Sequence, residues 1–433
     1  MEYAVLSIVC MTLFLAFGTP VPMCFGLALA VMHFIGGVSM QGVILYGLQQ
    51  IMSPVLLSVP FFIFMGGLMS ESGIAKHLLD FVNIFVGRVK GGLGIVSVVT
   101  CGIIGAITGS ALTGIAAIGP IMIPQMTKEG YPKGYSTALL SCSSEIGLLI
   151  PPSIAMITFG YVTDTSILAC FLSTVGPGLL VITIFSIINM IYVRDMDLVV
   201  GEKISLAKKG ELVSKHFIGA FPALMLPVII LGGIYGGIMT PTEAAGVSAM
   251  YAMMVGLVIY KGLNKKNLHK CAYEAATSVG SIMLLIMVCM ALSQTFVLVD
   301  LPQKLADAVL NISDNKNLIL LFIILLYVFL GMLVTDMISI FLVVPLILPL
   351  VNAIGVDTVH FAAITGVTLA MTGVTPPYAP LLYLGMKIGD TDLANTMKPT
   401  LILLCLGYLP VVLLTTYVPQ ISLFLPRLFG LAQ

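Results

Sequence analysis

The stretch that decides the fold is a proline-rich block, Gly119-Pro120-Ile121-Met122-Ile123-Pro124, followed further along by Ile150-Pro151-Pro152-Ser153. A second block, Val344-Pro345-Leu346-Ile347-Leu348-Pro349 followed by Thr375-Pro376-Pro377-Tyr378, has the same spacing. Each of the four prolines in the second block lies 225 positions after its counterpart, and Gly130, Gly160 and Ala169 have identical partners at the same offset. In a membrane protein, paired helix breaks of this kind predict a transporter whose binding site lies where two repeats meet.

The composition identifies a membrane protein. The chain of 433 residues is 59% hydrophobic and 9% charged, whereas soluble domains carry about a quarter charged residues. We therefore predict an all-α polytopic membrane protein embedded in lipid. The 19 basic and 19 acidic residues balance, which indicates no nucleic-acid partner. The eight cysteines show no CxxC spacing, which favours small buried hydrophobes over metal ligands or disulfides.

The apolar segments predict a path through the membrane. Ten of them are long enough to cross a bilayer, namely 3–18, 22–38, 51–70, 134–163, 166–193, 217–239, 243–260, 272–299, 358–389 and 398–425. Of these, 134–163 and 358–389 are interrupted by glycine and Pro-Pro. The stretches at about 93–126 and 317–353 are too long for one span and have polar centres, so we predict two re-entrant hairpins. Short interfacial helices are predicted at 74–87 and 302–311.

The basic residues predict the orientation. With ten spans, the loops on one side hold 16 of the 19 basic residues, and the other side holds only Lys304, Lys316 and Arg427. The basic side is expected to be cytoplasmic, which places both termini on the periplasmic side. Residues 1–194 and 217–433 each contain five crossings and one hairpin, so the second repeat is expected to be inverted. Residues 195–216 are predicted to be a cytoplasmic linker.

The four predicted breaks are where chemistry is expected. Non-helical backbone within a bilayer is tolerated only where protein or a water-filled cavity surrounds it. Unwound carbonyls and hydroxyls suit a hard monovalent cation such as Na⁺, and exposed helix N-termini suit an anionic substrate. Asp336, inside an apolar run, is a functional candidate, although it could serve only as a helix cap. Glu145 could instead pair with a neighbour for structure, and its repeat counterpart is Ala370.

Enzyme motifs are absent from the sequence. The chain contains no GxSxG elbow, HExxH, Walker A motif or aspartate-rich prenyl-transfer pair. A membrane-embedded enzyme is therefore a remote alternative, and we predict a protein that is not an enzyme and has no cofactor. Without a nucleotide motif, the energy for transport has to come from an ion gradient or from a partner.

Taken in order, these motifs resemble the large membrane subunit of tripartite ATP-independent periplasmic (TRAP) transporters. The residues that carry the resemblance are Gly105–Gly114, Ala117–Pro124, Gly147–Ser153, Val344–Pro349, Val359–Phe361 and Thr375–Pro377. The resemblance implies a bacterial inner-membrane protein with an elevator-type fold, similar to that of divalent-anion/Na⁺ symporters. It also implies inward Na⁺ coupling, a periplasmic substrate-binding protein and a small four-helix membrane subunit. Because the chain begins directly at its first span, we expect that subunit to be a separate polypeptide.

The resemblance further implies roles for particular residues. The first Na⁺ site would use Thr108, Ser110, Ser144 and Gly147, and the second would use Thr335, Asp336, Thr372 and Thr375. The substrate would lie between the hairpin tips, with Ser110 and Ser153 as contacts. The helix breaks would be Pro151, Pro152, Pro376 and Pro377.

Two questions remain open at the level of sequence. The nearest alternative to a TRAP subunit is a stand-alone Na⁺/dicarboxylate symporter or antiporter of similar architecture. The organic acid is also undetermined, because the family carries sialic acid, C4-dicarboxylates and other carboxylates. Similarity along the whole chain favours sialic acid.

Overall fold

The computed structural model describes residues 2–86, 89–199 and 206–432, and within these residues the regular structure is entirely helical. The first helices are α1 (Glu2–Ala16), α2 (Val21–Phe34), α3 (Met40–Ile51), α4 (Ser58–Glu71), α5 (Ile74–Val86), α6 (Gly92–Thr108), α7 (Ala111–Lys128), α8 (Lys133–Ser144), α9 (Ile154–Thr163) and α10 (Ile167–Tyr192). The others are α11 (Leu206–Tyr235), α12 (Pro241–Met254), α13 (Lys265–Leu298), α14 (Leu301–Ile312), α15 (Lys316–Gly331), α16 (Asp336–Ala353), α17 (Thr358–Thr372), α18 (Pro380–Gly389), α19 (Leu393–Leu403), α20 (Leu409–Tyr417) and α21 (Gln420–Leu428).

Several of these helices are suited to a lipid environment. In the described part of the chain, seven helical segments are long and apolar enough to cross a membrane, and six further apolar helices are shorter. The surface also carries many exposed large hydrophobic side chains, such as Phe17, Phe34 and Phe424. The prediction of an all-α, multi-pass membrane protein is thereby confirmed.

The offset of 225 positions between the two proline-rich blocks is also found between the limits of the helices. Adding 225 to the first and last residues of α7 gives the first and last residues of α16, and adding 225 to the start of α8 gives the start of α17. Pro120 and Pro124 lie inside α7, as Pro345 and Pro349 lie inside α16. The repeated prolines thus occupy equivalent places in equivalent helices.

The hairpins and interrupted helices have nearly the predicted limits. The stretch predicted at about 93–126 forms α6 and α7, and the stretch at 317–353 forms α15 and α16. Each hairpin turns at residues that leave the helical conformation, with Gly109 at a φ of 63° in the first tip. The interrupted helices are α8 and α9 in the first repeat and α17 and α18 in the second. Because α16 alone is long enough to cross a membrane, the re-entrant path of its hairpin stays a prediction.

One helix was not predicted, and one predicted span ends too late. The predicted span 51–70 agrees with the helical segment Pro54–Glu71, but α3, which ends at Ile51, was not predicted. Proline disfavours helical conformation in the residue before it, and Ser53 is accordingly extended. The predicted span 398–425 extends past the C-terminal end of its helix. Its helix ends at Tyr417, and α21 begins after Pro419.

The segments between the spans are more helical than the sequence suggested. The interfacial helices predicted at 74–87 and 302–311 correspond to α5 and α14. Part of the predicted linker 195–216, residues 200–205, lies outside the described residues. The part from Leu206 onward already belongs to α11.

The two halves of the sequence pack into each other. From the first half, α8 packs against α18 and α19, α9 packs against α16, and α10 packs against α17 and α21. A large apolar core joins both halves through fully buried side chains such as Phe159 and Phe361, whose rings lie 5.5 Å apart edge to face. A separate core lies between α1, α2 and the C-terminal part of α13. Helices of the two halves therefore pack against one another, and this packing brings the helix breaks close together.

Hydrogen bonds join loops that were predicted from the sequence to lie on the same side of the membrane. Lys133 donates to the backbone carbonyl of Asp390 at 2.7 Å, and Lys270 donates to the carboxylate of Glu71 at 2.7 Å. Both pairs join loops predicted to be cytoplasmic. Tyr417 donates to the carbonyl of Asn317 at 3.1 Å, which joins two predicted periplasmic ends.

A half-buried carboxylate after α7 leads to a prediction about stability and pH. Burial raises the pKa of Glu129 to about 7, above its ordinary value of about 4.3. The folded state therefore binds this proton more tightly than the unfolded state, and the stability it contributes is lost as pH rises through about 7. We expect Glu129→Gln to lose less thermal stability than the parent protein between about pH 5 and 8. The melting temperature in detergent measures this, and parallel curves would contradict it.

Candidate functional site: a cavity at the helix breaks

All four helix breaks meet at one cavity of about 570 Å³. Its wall includes both hairpin tips, at residues 108–113 and 331–337, and both interrupted helices, through residues such as Glu145 and Gly373. The remaining wall comes from α4 and α13. A cavity of this size falls within the range of small-molecule sites, about 300–1,000 Å³.

Four helices begin at this cavity. The residues that start α7, α9, α16 and α18, namely Ala111, Ile154, Asp336 and Pro380, all line it. The N-terminus of a helix carries unpaired N–H groups and a partial positive charge. Each repeat contributes two of these N-termini. The arrangement therefore offers binding positions for a small anionic group although the described lining residues include no Lys, Arg or His.

In the first repeat, the structure brings the predicted ion-site residues together. A Cβ added at Gly147 would lie 3.4 Å from the carbonyl carbon of Ser110 and 3.4 Å from the N atom of Ala111. At Gly114, a Cβ would lie 3.3 Å from the hydroxyl oxygen of Ser144. Thr108 and Ser110 line the cavity at the tip. The tip of the first hairpin thus packs in direct contact with the helix break after α8.

The second repeat has an equivalent contact. A Cβ at Gly331, the last residue of α15, would overlap the side chain of Thr372 at the end of α17. Thr335, Asp336 and Thr372 all line the cavity. Thr375 does not line it but lies in the turn after Thr372, to whose carbonyl its N–H donates at 2.9 Å. The hairpin tip and the break therefore pack together in both halves.

The hydroxyls at these breaks are oriented by their own helices. The donors and acceptors are Thr108 to Ile104, Ser144 to Leu140, Thr372 to Leu369 and Thr375 to Met371, each a hydroxyl donating to a backbone carbonyl at 2.7–2.9 Å. Because the hydroxyl hydrogen is used within the helix, the oxygen keeps its lone pairs for another partner. Such oxygens have the chemistry that Na⁺ requires, although the same bonds also serve to stabilise a helix end.

Ser153 has a different position from the other predicted contacts. Its hydroxyl accepts a hydrogen bond from the N–H of Met156 at 3.5 Å and caps α9. The side chain is fully buried and is not part of the cavity wall. Ser110, the other predicted substrate contact, does line the cavity, so the structure gives the two serines separate surroundings.

The sequence reasoning missed the wall supplied by α4 and α13. Gly66 and Gly67 of α4 line the cavity, and a Cβ at Gly66 would lie 3.4 Å from the Cβ of Thr108 at the first tip. From α13, the lining residues are Cys271, Glu274, Ala275, Ser278, Ile282 and Leu285. Their spacing of three, four and seven positions places them on one helical face. Polar residues on one face of an otherwise apolar span were the signal that could have located this wall.

These features are those of a multi-pass membrane transporter, with a cavity lined by two sets of broken helices. The family model described as "Tripartite ATP-independent periplasmic transporter, DctM component" matches residues 8–421. The chain belongs to this family, which confirms the resemblance found in the sequence. Because the family consists of transporter components, the prediction that the chain is not an enzyme is also confirmed.

Relatives with several named substrates match most of the chain. The isethionate TRAP transporter permease protein DctMQ of Oleidesulfovibrio alaskensis is 33% identical over 95% of this chain, which spans 64% of that protein. The sialic acid TRAP transporter large permease protein SiaM of Vibrio cholerae is 33% identical over 86% of both chains. The ectoine TRAP transporter large permease protein TeaC of Halomonas elongata is 30% identical over 95% of this chain and 96% of its own.

A solved structure shares the fold. The YdaH transporter of Alcanivorax borkumensis superposes with a TM-score of 0.60, covering 92% of this chain and 91% of its own, at 14% sequence identity. At this identity the similarity concerns the fold alone.

Proposed function

We propose that the chain is the large permease subunit of a Na⁺-coupled transporter that imports an organic acid. The observation that carries the proposal is the convergence of both hairpin tips and both interrupted helices on one cavity. Helix N-termini there favour an anionic group, and the hydroxyls and carbonyls at the breaks favour Na⁺. Thr108, Ser110, Ser144 and Gly147 form the proposed first ion site, and Thr335, Asp336, Thr372 and Thr375 form the second.

The composition of the cavity wall supports a mechanism. Part of the wall belongs to the hairpins and interrupted helices, and the rest belongs to α4 and α13. Movement of the first group past the second would carry the site from one face of the membrane to the other. We therefore propose an elevator mechanism between two inverted repeats, residues 1–194 and 217–433. The proposed location is the bacterial inner membrane, with both termini periplasmic.

The proposed partners are a small four-helix membrane subunit and a periplasmic substrate-binding protein. The proposed substrate is a small organic acid of the kinds named for the relatives, including sialic acid, isethionate and C4-dicarboxylates. Sialic acid agrees with the preference from sequence similarity, and the cavity volume accommodates any of these acids.

Uptake into proteoliposomes tests this function. Vesicles would contain the chain and its small subunit, with loaded binding protein outside and radiolabelled sialic acid, isethionate, succinate and ectoine as separate probes. We expect accumulation of one acid only when Na⁺ is directed inward and the binding protein is present. Choline in place of Na⁺ serves as the control. Uptake without the binding protein would favour the stand-alone symporter, and uptake without Na⁺ would contradict the proposed coupling.

A further inference from the structure

Glu145 is a buried acidic side chain without a protein partner. It lies in the 3₁₀ turn that follows α8, is 2% exposed and lines the cavity. Among the residues that the structure describes, none donates a hydrogen bond to its carboxylate, and no basic residue lines the cavity. An ionised carboxylate removed from water is costly unless a positive group compensates it. The charge of Glu145 therefore has to be neutralised, by a bound cation or by a proton.

The helix ends next to Glu145 make a negative charge on its carboxylate still more costly. Glu145 is the first residue after α8, and its carboxylate lies against Gly373, the first residue after α17. A Cβ at position 373 would overlap the carboxylate oxygens. Helix C-termini carry a partial negative charge. Glu145 therefore adds a full negative charge where two helices already present their negative ends.

Asp336 differs from Glu145 in this respect. Both carboxylates line the cavity and they repel each other electrostatically. Asp336, however, is the first residue of α16, where the helix N-terminus stabilises negative charge. The position equivalent to Glu145 in the second repeat is Ala370. The uncompensated carboxylate therefore exists in one half only.

We propose that Glu145, together with the carbonyl groups that end α17, binds an additional Na⁺ between the two half-sites. The ligands would be carboxylate and carbonyl oxygens, the donors that hard cations prefer. This ion would neutralise Glu145 and link the break of the first repeat to that of the second. The choice of Na⁺ rests on the proposed Na⁺ coupling, whereas the position of an unpartnered carboxylate between the two breaks is observed at Glu145 itself.

The test is the Na⁺ dependence of thermal stability in the purified complex with the small subunit. Melting temperature is followed against Na⁺ concentration at constant ionic strength, with choline as the replacement. Ligand binding raises stability with the logarithm of concentration, by an amount proportional to the number of ions bound. With three ions in the parent protein and two in Glu145→Gln, the slope should fall by about a third. Glu145→Gln should also be the more stable protein in Na⁺-free buffer. Glu129→Gln, outside the cavity, should keep the parent slope.

Two results would overturn the proposal. One is a parent-like slope in Glu145→Gln. The other is a combination of results in which lowering the pH stabilises the Na⁺-free parent protein but not Glu145→Gln, while Glu145→Gln keeps the Na⁺ slope of the parent. The site would then hold a proton and not Na⁺. If Glu145→Gln does not fold, Gly373→Ala keeps the charge but displaces the carboxylate, and it should show the same loss of slope. Failure of the proposed function is distinct, because the parent protein would then show neither a Na⁺ slope nor Na⁺-dependent uptake.

Discussion

Replacement of Asp336 by Asn is expected to abolish uptake at ordinary Na⁺ concentrations and to restore part of it at much higher concentrations. Asp336 begins α16 at the tip of the second hairpin and lines the cavity beside Thr335 and Thr372. Asparagine keeps the size and one oxygen ligand but removes the charge. Hydrogen bonds to charged groups contribute about 1.5–3 kcal/mol. For a loss of this size, the Na⁺ concentration for half-maximal uptake should rise about 10- to 150-fold.

The measurement is initial uptake rate against Na⁺ concentration in proteoliposomes. Asp314→Asn is the matched control, because Asp314 is an exposed acidic residue that precedes the same hairpin. It should retain the parent Na⁺ dependence. The alternative role for Asp336 is a helix cap, and asparagine is also a good capping residue. An unchanged Na⁺ dependence in Asp336→Asn would therefore favour the capping role and remove Asp336 from the ion site.

Replacement of Gly105 by Ala is expected to lower both stability and transport. Gly105 lies near the end of α6, and an added Cβ would lie 2.3 Å from the Cα of Gly147, so backbone would have to move. Overpacking of this kind costs about 1–3 kcal/mol. The displacement would also separate the first hairpin tip from the break that completes the proposed ion site.

The control for Gly105→Ala isolates packing from helix propensity. In a helix, alanine is more favourable than glycine by about 1 kcal/mol, so propensity alone predicts stabilisation. Gly246 of α12 has open space around an added Cβ, and Gly246→Ala should be neutral or stabilising. Thermal unfolding and Na⁺-dependent uptake measure both variants. Equal behaviour of the two would show that the contact between Gly105 and Gly147 is not tight.

Much of the architecture was predictable because its signals are local. A proline interrupts a helix through its own ring and missing N–H, so Pro151-Pro152 and Pro376-Pro377 identify the breaks wherever the chain folds. Hydrophobic length identifies the helices, and the hairpin limits agree within a few residues with α6–α7 and α15–α16. The error at α21 also has a local cause, Pro419, which had been included within an apolar span.

The site was less predictable because its contacts join distant parts of the chain. The predicted hydroxyls at Thr108, Ser110, Thr335 and Thr372 do line one cavity. The sequence around these residues gave no information about α4 and α13, which supply the rest of the wall. Ser153 appeared equivalent to Ser110 as a substrate contact, but its hydroxyl caps α9 inside the protein. Whether a serine caps a helix or faces a cavity depends on the packing around it.

The sequence by itself determined a membrane protein of two repeats with a constant offset of 225, because composition and proline spacing act through local geometry and hydrophobicity. Only the tertiary structure decided that the four breaks share one cavity and that Glu145 lies against Gly373. The physical reason is that the electrostatic environment of a buried carboxylate is set by the helix ends packed around it. Those ends come from opposite halves of the chain and meet only when the repeats interlock.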